Sequence, residues 1–132
     1  MLDDREPRAQ VLNAAYVFAG MTAELEKTMP LGNGETVIAE GNVRVRTWYG
    51  EPQSLLRLTN RRFFVLVHRA FGPDRITVVP AGALQSVDQQ SGSWLTITFR
   101  GPRAESDTLR MHSFMLGLLD SLKQWLIDHP PS

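Results

Sequence analysis

The stretch Ser54–His68, with the sequence SLLRLTNRRFFVLVH, decides the fold of this chain because it predicts two strands joined by a tight turn. Runs rich in Leu, Phe and Val flank the segment Thr59–Arg62. Asn60 is a residue type that tolerates the left-handed backbone conformation of a turn. The pattern is typical of an antiparallel hairpin, and we therefore expect a domain built mainly from β-strands.

Apolar alternation and turn residues on both sides of this hairpin predict a longer series of strands. The seven predicted strands are Thr36–Trp48, Ser54–Thr59, Arg62–His68, Arg75–Pro80, Leu84–Gln89, Trp94–Phe99 and Leu109–Phe114. From Met115 onward, leucines and Trp125 recur at helical spacing until Pro130 and Pro131 end the pattern. We expect a mainly β (α+β) fold in which a C-terminal helix packs on seven antiparallel strands.

A second helix is predicted at the N-terminus, between Arg8 and Met29. Its apolar surface is broader than one stripe, and four of its residues are candidates for self-association: Val11, Phe18, Met21 and Leu25. Two interpretations remain open, because such a helix packs either on its own domain or on a partner, which includes a second copy of the chain. We treat residues 1–30 as an addition to a domain at 31–129, with both parts forming one structural unit.

Composition narrows the class of protein. The 132 residues fit one domain, and the absence of cysteine fits a reducing compartment. Fourteen basic and fourteen acidic side chains give no net charge, so no global field attracts nucleic acid or an anionic membrane. The acidic and polar residues 1–10 are not typical of a signal peptide, and no run approaches the roughly 20 apolar residues that span a bilayer. We expect a cytoplasmic protein without a transmembrane segment and without a nucleic-acid partner.

Residue types that carry catalysis do not form a recognisable pattern in this chain. The three histidines, His68, His112 and His129, are far apart and lack metal-ligand spacing. No serine lies in a nucleophile elbow, and no pair of carboxylates shares a helix face outside the N-terminal residues. We expect no enzyme activity, no cofactor and no metal.

Several motifs together resemble the pleckstrin-homology-like superfamily, with bacterial pleckstrin-homology and GRAM-type domains as the nearest match. They are LGNGE at Leu31–Glu35, LRLTNRRF at Leu56–Phe63, Val79–Pro80 leading to Leu84 and Val87, and the C-terminal helix with Trp125. The resemblance covers Leu31 to His129. It implies a barrel or two orthogonal sheets capped by the C-terminal helix, and a module that binds or assembles.

One cluster near the first loop between strands is the candidate ligand or headgroup site: Arg44, Arg46, Trp48, Tyr49 and Arg57. Alternation places Arg44, Arg46 and Trp48 on one outer face, and Arg57 is expected to join them from the paired strand. The resemblance implies that phosphoinositide-binding members use basic residues on these two strands. In the alternative interpretation, Glu40 or Glu51 pairs with the arginines of the first strand, and Trp48 covers the barrel rim.

Two functions follow from these patterns. The leading hypothesis is a non-enzymatic scaffold that acts through protein–protein contact or self-association. The alternative is a peripheral membrane module that recognises an anionic lipid headgroup. Strong weakening by salt is expected of headgroup binding and not of an apolar helix interface.

Overall fold

The computed structural model describes residues 9–14, 21–69, 73–90, 92, 94–113 and 117–132. The elements in chain order are β1 Gln10–Ala14, α1 Met21–Thr28, β2 Val37–Val45, β3 Gln53–Thr59, β4 Arg62–Val67, β5 Asp74–Pro80, β6 Leu84–Gln89, β7 Trp94–Arg100, β8 Ser106–Ser113 and α2 Leu118–Asp128. The strands form a sheet in the order β1-β5-β4-β3-β2-β8-β7-β6. All neighbouring strands in it are antiparallel.

The predicted hairpin is confirmed as β3 and β4, which pair Leu58 with Phe63 across the turn. Asn60 joins this turn to the residue before β2, because its Oδ1 accepts a hydrogen bond of 2.9 Å from the Thr36 amide. Both strands are buried along almost their whole length, so both faces of the sheet are covered here. Continuous apolar runs are typical of strands in this position.

The inner face of the curved sheet packs against α2, as predicted. Leu118, Leu122 and Trp125 form the buried side of this helix. The indole nitrogen of Trp125 donates a hydrogen bond of 2.8 Å to the Thr59 carbonyl, which joins the helix to the end of β3. The seven predicted strands and the C-terminal helix are therefore confirmed, and β1 adds an eighth strand.

The N-terminal helix is shorter than predicted. Gln10–Ala14 is a strand paired antiparallel with β5, and α1 begins only at Met21. The open edge of β5 carries free backbone donors and acceptors, and pairing with them overrides the weak helical preference of a short segment. Val11 therefore lies on β1, and Phe18 lies outside the described residues.

α1 packs on the outer face of the sheet. Leu25 has no exposed surface, and Met21 packs partly buried against the same apolar cluster. The other buried members of the cluster are Leu55, Phe64, Leu66, Ile76 and Val78, and Met29, like Met21, is partly buried against them. The sequence left open whether this helix packs on its own domain or on a partner. The buried face of α1 packs on its own domain.

A buried ion pair joins the segment after α1 to the β3–β4 hairpin. Glu35 is 7% exposed and receives hydrogen bonds from Arg62 Nε at 3.0 Å, from the Thr59 hydroxyl at 2.6 Å and from the Gly32 amide at 2.8 Å. The Arg62 hydrogen bond lowers the pKa of Glu35 most, burial opposes it, and the net result is a pKa of about 2. The carboxylate is thus ionised and structural at neutral pH.

Candidate functional site

The loop between β2 and β3 forms a constrained turn at the Gln53 end of β3, whereas α2 packs at the Thr59 end. We call the end with this loop the open end of the barrel. We call residues 47–50 the Trp48–Tyr49 turn. Thr47 and Gly50 close it through backbone hydrogen bonds of 2.7 and 3.3 Å, and the Thr47 hydroxyl donates to the Gly50 carbonyl at 2.8 Å. Gly50 has a φ of 131°, which side-chain-bearing residues rarely adopt. The turn therefore has a defined shape.

Trp48 and Tyr49 occupy the tip of this turn. Trp48 is 94% exposed, whereas one interpretation of the sequence expects it to cover the barrel rim. The expected position of Trp48 is wrong, because β2 ends at Val45 and the turn carries Trp48 away from the sheet. The ion pair expected in the same interpretation is confirmed for Arg46 and Glu51. The two rings meet edge to face, with centroids 5.3 Å apart.

Tyr49 is anchored to the neighbouring loop. Its hydroxyl donates a hydrogen bond of 3.1 Å to the His68 carbonyl at the end of β4. His68 in turn lies 3.0 Å from the buried Asp74, measured from Nδ1 to Oδ1. Asp74 also accepts a hydrogen bond of 2.9 Å from the Arg69 amide. The Trp48–Tyr49 turn and the β4–β5 connection therefore support each other.

Arg44 lies on the outer face of β2, and Arg46 follows the last residue of that strand. Both are exposed, as predicted, but their surroundings differ. Arg44 is exposed and forms no ion pair with another described residue. Arg46 pairs with Glu51 at 3.5 Å, and its guanidinium lies 4.3 Å from the centre of the Trp94 ring. Arg44 is therefore the freer cation of the two.

Arg57 does not join this cluster. It lies opposite Glu40 in the β2–β3 ladder, whereas Arg44 lies opposite Gln53 at the other end of the same ladder. Arg57 is 2% exposed and pairs with Glu40, and at 3.1 Å with Glu26 of α1. Burial alone lowers the pKa of Arg57, but the hydrogen bonds of both carboxylates outweigh it and raise that pKa. This arginine holds α1 on the sheet.

A cavity of about 470 Å³ opens beside the turn. Besides Arg46, Trp48 and Tyr49, its wall contains Arg69 and Arg75, which the sequence analysis did not single out. The register of the β4–β5 hairpin brings them there, because Val67 pairs with Arg75 and Arg69 follows Val67 by two residues. Both arginines therefore come to the open end.

The part of the chain that the structure describes contains neither a membrane-spanning helix nor a metal-binding cluster. No helix within it is long and apolar enough to cross a membrane. Its His, Asp and Glu side chains form no group of three or more that could hold a metal ion.

No protein-family model matches the sequence, and no curated protein is significantly similar to it. Solved structures are similar in fold. The DH/PH domains of PDZ-RhoGEF in complex with activated RhoA give a TM-score of 0.55 at 13% identity, over 81% of this chain and 32% of that one. The DH/PH domains of a p115-RhoGEF mutant give 0.51 at 9% identity, over 70% and 30%.

A third structure, human RhoA with a DH/PH fragment of PDZRHOGEF, gives a TM-score of 0.52 at 14% identity, over 81% of this chain and 31% of that one. The chain thus spans about a third of the length of the structures it matches. Likeness at such low identity concerns the fold and not the function. The chain has the pleckstrin-homology-like fold.

Proposed function

We propose that this protein is a non-enzymatic binding module that docks a protein partner through the Trp48–Tyr49 turn. The observation that carries the proposal is the 94% exposure of Trp48 on a turn held by several hydrogen bonds. Trp48 and Tyr49 together form an exposed aromatic patch of fixed shape, which is typical of a surface that binds a partner. The finer classification as a bacterial or GRAM-type domain stays a prediction.

Physical features of the turn favour protein contact. Trp, Tyr and Arg dominate the binding energy of many protein interfaces, and the turn presents the first two beside the exposed Arg44. Since the turn is already ordered, docking would cost little conformational entropy. In the similar solved structures, DH/PH domains are described in complex with RhoA, which supports protein binding here only by analogy.

Self-association through the N-terminal residues is the weaker form of this proposal. Leu25 is fully buried against its own sheet, and Met21 packs beside it. An interface built on either residue would first require α1 to leave the sheet. The division into residues 1–30 and 31–129 likewise stays a prediction, although β1 and α1 both contact the sheet.

The second candidate is a peripheral membrane module. Arg44 is exposed near an exposed tryptophan, and indole rings favour the membrane–water boundary while arginine attracts anionic headgroups. Arg46 is a weaker candidate for headgroup binding, because Glu51 already neutralises its charge. Arg57 is buried under α1 and would not reach a headgroup.

Site-specific photocrosslinking in cells that naturally express the protein separates these functions. A photoreactive aromatic amino acid, which keeps a ring at the tip of the turn, replaces Trp48. The same amino acid replaces Ile127 as a control, because Ile127 is 71% exposed on α2. We expect a discrete protein adduct from position 48 and none from position 127. Equal labelling at both positions, or none at either, would contradict docking through the turn.

A vesicle experiment tests the membrane candidate directly. Wild type and Arg44→Gln are sedimented with phosphatidylserine vesicles over a range of salt. Steep loss of binding with salt and with the substitution would assign the turn to a membrane. Salt-independent absence of binding, together with a protein adduct at position 48, supports the protein partner.

A further inference from the structure

The cavity beside the turn has a charged wall in which, among the residues that the structure describes, basic side chains outnumber acidic ones. Arg46, Arg69 and Arg75 line it, against a single described acidic residue in the lining, Asp107. Arg46 pairs with Glu51, but neither Arg69 nor Arg75 forms an ion pair with any described residue. Two guanidinium groups at one opening attract an anion, and each can donate paired hydrogen bonds to a carboxylate or phosphate.

The remaining wall is apolar and partly aromatic. Trp48 and Tyr49 stand on one side, and inward-facing side chains of the sheet, among them Val67 and Phe99, form the floor. The Tyr49 ring is held in place by its hydrogen bond to the His68 carbonyl. A flat apolar group can stack on this side while its charged substituent faces the arginines.

We propose that this cavity binds a small aromatic anion, namely a flat ring that carries a carboxylate or a phosphate. Its volume of about 470 Å³ lies within the range of small-molecule sites, about 300 to 1,000 Å³. A simple inorganic anion would leave the aromatic wall uncovered, and a neutral ring would leave two arginines without a counter-charge. The inference concerns a small molecule and needs no macromolecular partner at the turn.

Isothermal titration with three probes tests both halves of the proposal on the full chain. Naphthoate has the ring and the charge, naphthylmethanol has the ring alone, and inorganic phosphate has the charge alone. We expect naphthoate to bind measurably more tightly than the other two. The double variant Arg69→Gln/Arg75→Gln should weaken naphthoate binding by about tenfold or more, because it removes two charged donors.

Arg110→Gln is the matched control, because Arg110 is exposed on β8 and lies outside the cavity lining. It should leave naphthoate binding unchanged. Circular dichroism and thermal unfolding check that each variant is folded, and Arg69→Lys/Arg75→Lys should restore part of the affinity. These substitutions leave Trp48 in place, so a failure here is separate from a failure of docking through the turn.

Three results would overturn the proposal. Absence of naphthoate binding to the folded wild type would exclude the site. An equal loss of naphthoate affinity in Arg110→Gln would show that the arginines act only through the net charge of the protein. Inorganic phosphate or naphthylmethanol binding as tightly as naphthoate would show that the cavity does not require a ring and a charge together.

Discussion

The two ends of this barrel place tryptophan in opposite environments. At the end capped by α2, Trp125 is 2% exposed and its indole nitrogen is bonded to the Thr59 carbonyl. At the open end, Trp48 is 94% exposed on a turn that is held in shape without enclosing it. The first residue has its partners within the chain and serves stability, whereas the second is ordered and uncovered, which is the usual condition of a binding residue.

The largest effect on stability is expected at the end of the barrel that α2 caps. Trp125→Ala should lower the free energy of unfolding by about 3 to 5 kcal/mol, because it removes a large buried ring and leaves a cavity. Denaturant unfolding of the purified protein measures the change. Trp125→Phe is the control, since it keeps most of the volume and loses the hydrogen bond to Thr59, and it should cost about 1 to 2 kcal/mol. A cost for Trp125→Ala below about 1 kcal/mol would contradict a structural role.

The second effect depends on pH and concerns the Glu35–Arg62 pair near the same end. The pKa of Glu35 is lowered from 4.5 to about 2 in the folded state, so the ionised carboxylate stabilises folding fully above pH 4.5. That contribution, about 3 kcal/mol, is lost as the pH falls from 4.5 towards 2, because the unfolded state then binds the proton first. Glu35→Gln should therefore destabilise the protein at pH 7 and matter much less near pH 2.

Urea unfolding at both pH values gives this difference directly. The matched control is Glu51→Gln, because Glu51 is exposed and pairs with Arg46 on the surface. Its cost should stay below about 1 kcal/mol at either pH. A cost of Glu35→Gln that does not change with pH would show that the charge of Glu35 is not what stabilises this end.

The third effect concerns the attachment of α1. Arg57→Ala should cost about 2 kcal/mol, less than for a fully enclosed pair, because Glu40 and Glu26 are 30% and 61% exposed and can regain water. Arg57→Met should cost less, since it keeps apolar packing under the helix. Hydrogen exchange of the α1 amides in both variants measures the attachment, and unchanged exchange would mean that the ion pairs do not hold the helix.

The pattern of residues close together in the sequence was sufficient to predict most elements of the fold. Asn60 between two apolar runs identified the hairpin, and Trp125 on a narrow leucine stripe identified the capping helix, because each feature depends on residues near in sequence. Gln10–Ala14 was assigned to a helix because its apolar spacing fits one. Only the free edge of a strand more than 60 residues away makes it a strand, as the pairing of Gln10 with Val78 shows.

The candidate site was less predictable for the same reason. Arg44 and Arg46 follow from strand alternation, and both are exposed as it predicts. Arg57 was misplaced because its neighbours depend on the β2–β3 register and on where α1 docks. Arg69 belongs to the cavity through the geometry of a hairpin end, and a residue outside a regular strand gives no periodic signal.

Substitution of Trp48 should change stability least of all the variants, although we expect it to affect binding most. Trp48→Ala should change the free energy of unfolding by less than about 0.5 kcal/mol, because a side chain that is 94% exposed loses little burial. Ile127→Ala, at 71% exposure, should behave alike in the same denaturant titration. Only Trp48→Ala should abolish co-precipitation of the partner that the crosslink from position 48 identifies. A stability loss above about 1 kcal/mol would instead assign Trp48 to the structure of the open end, and the contrast between the two tryptophans would fail.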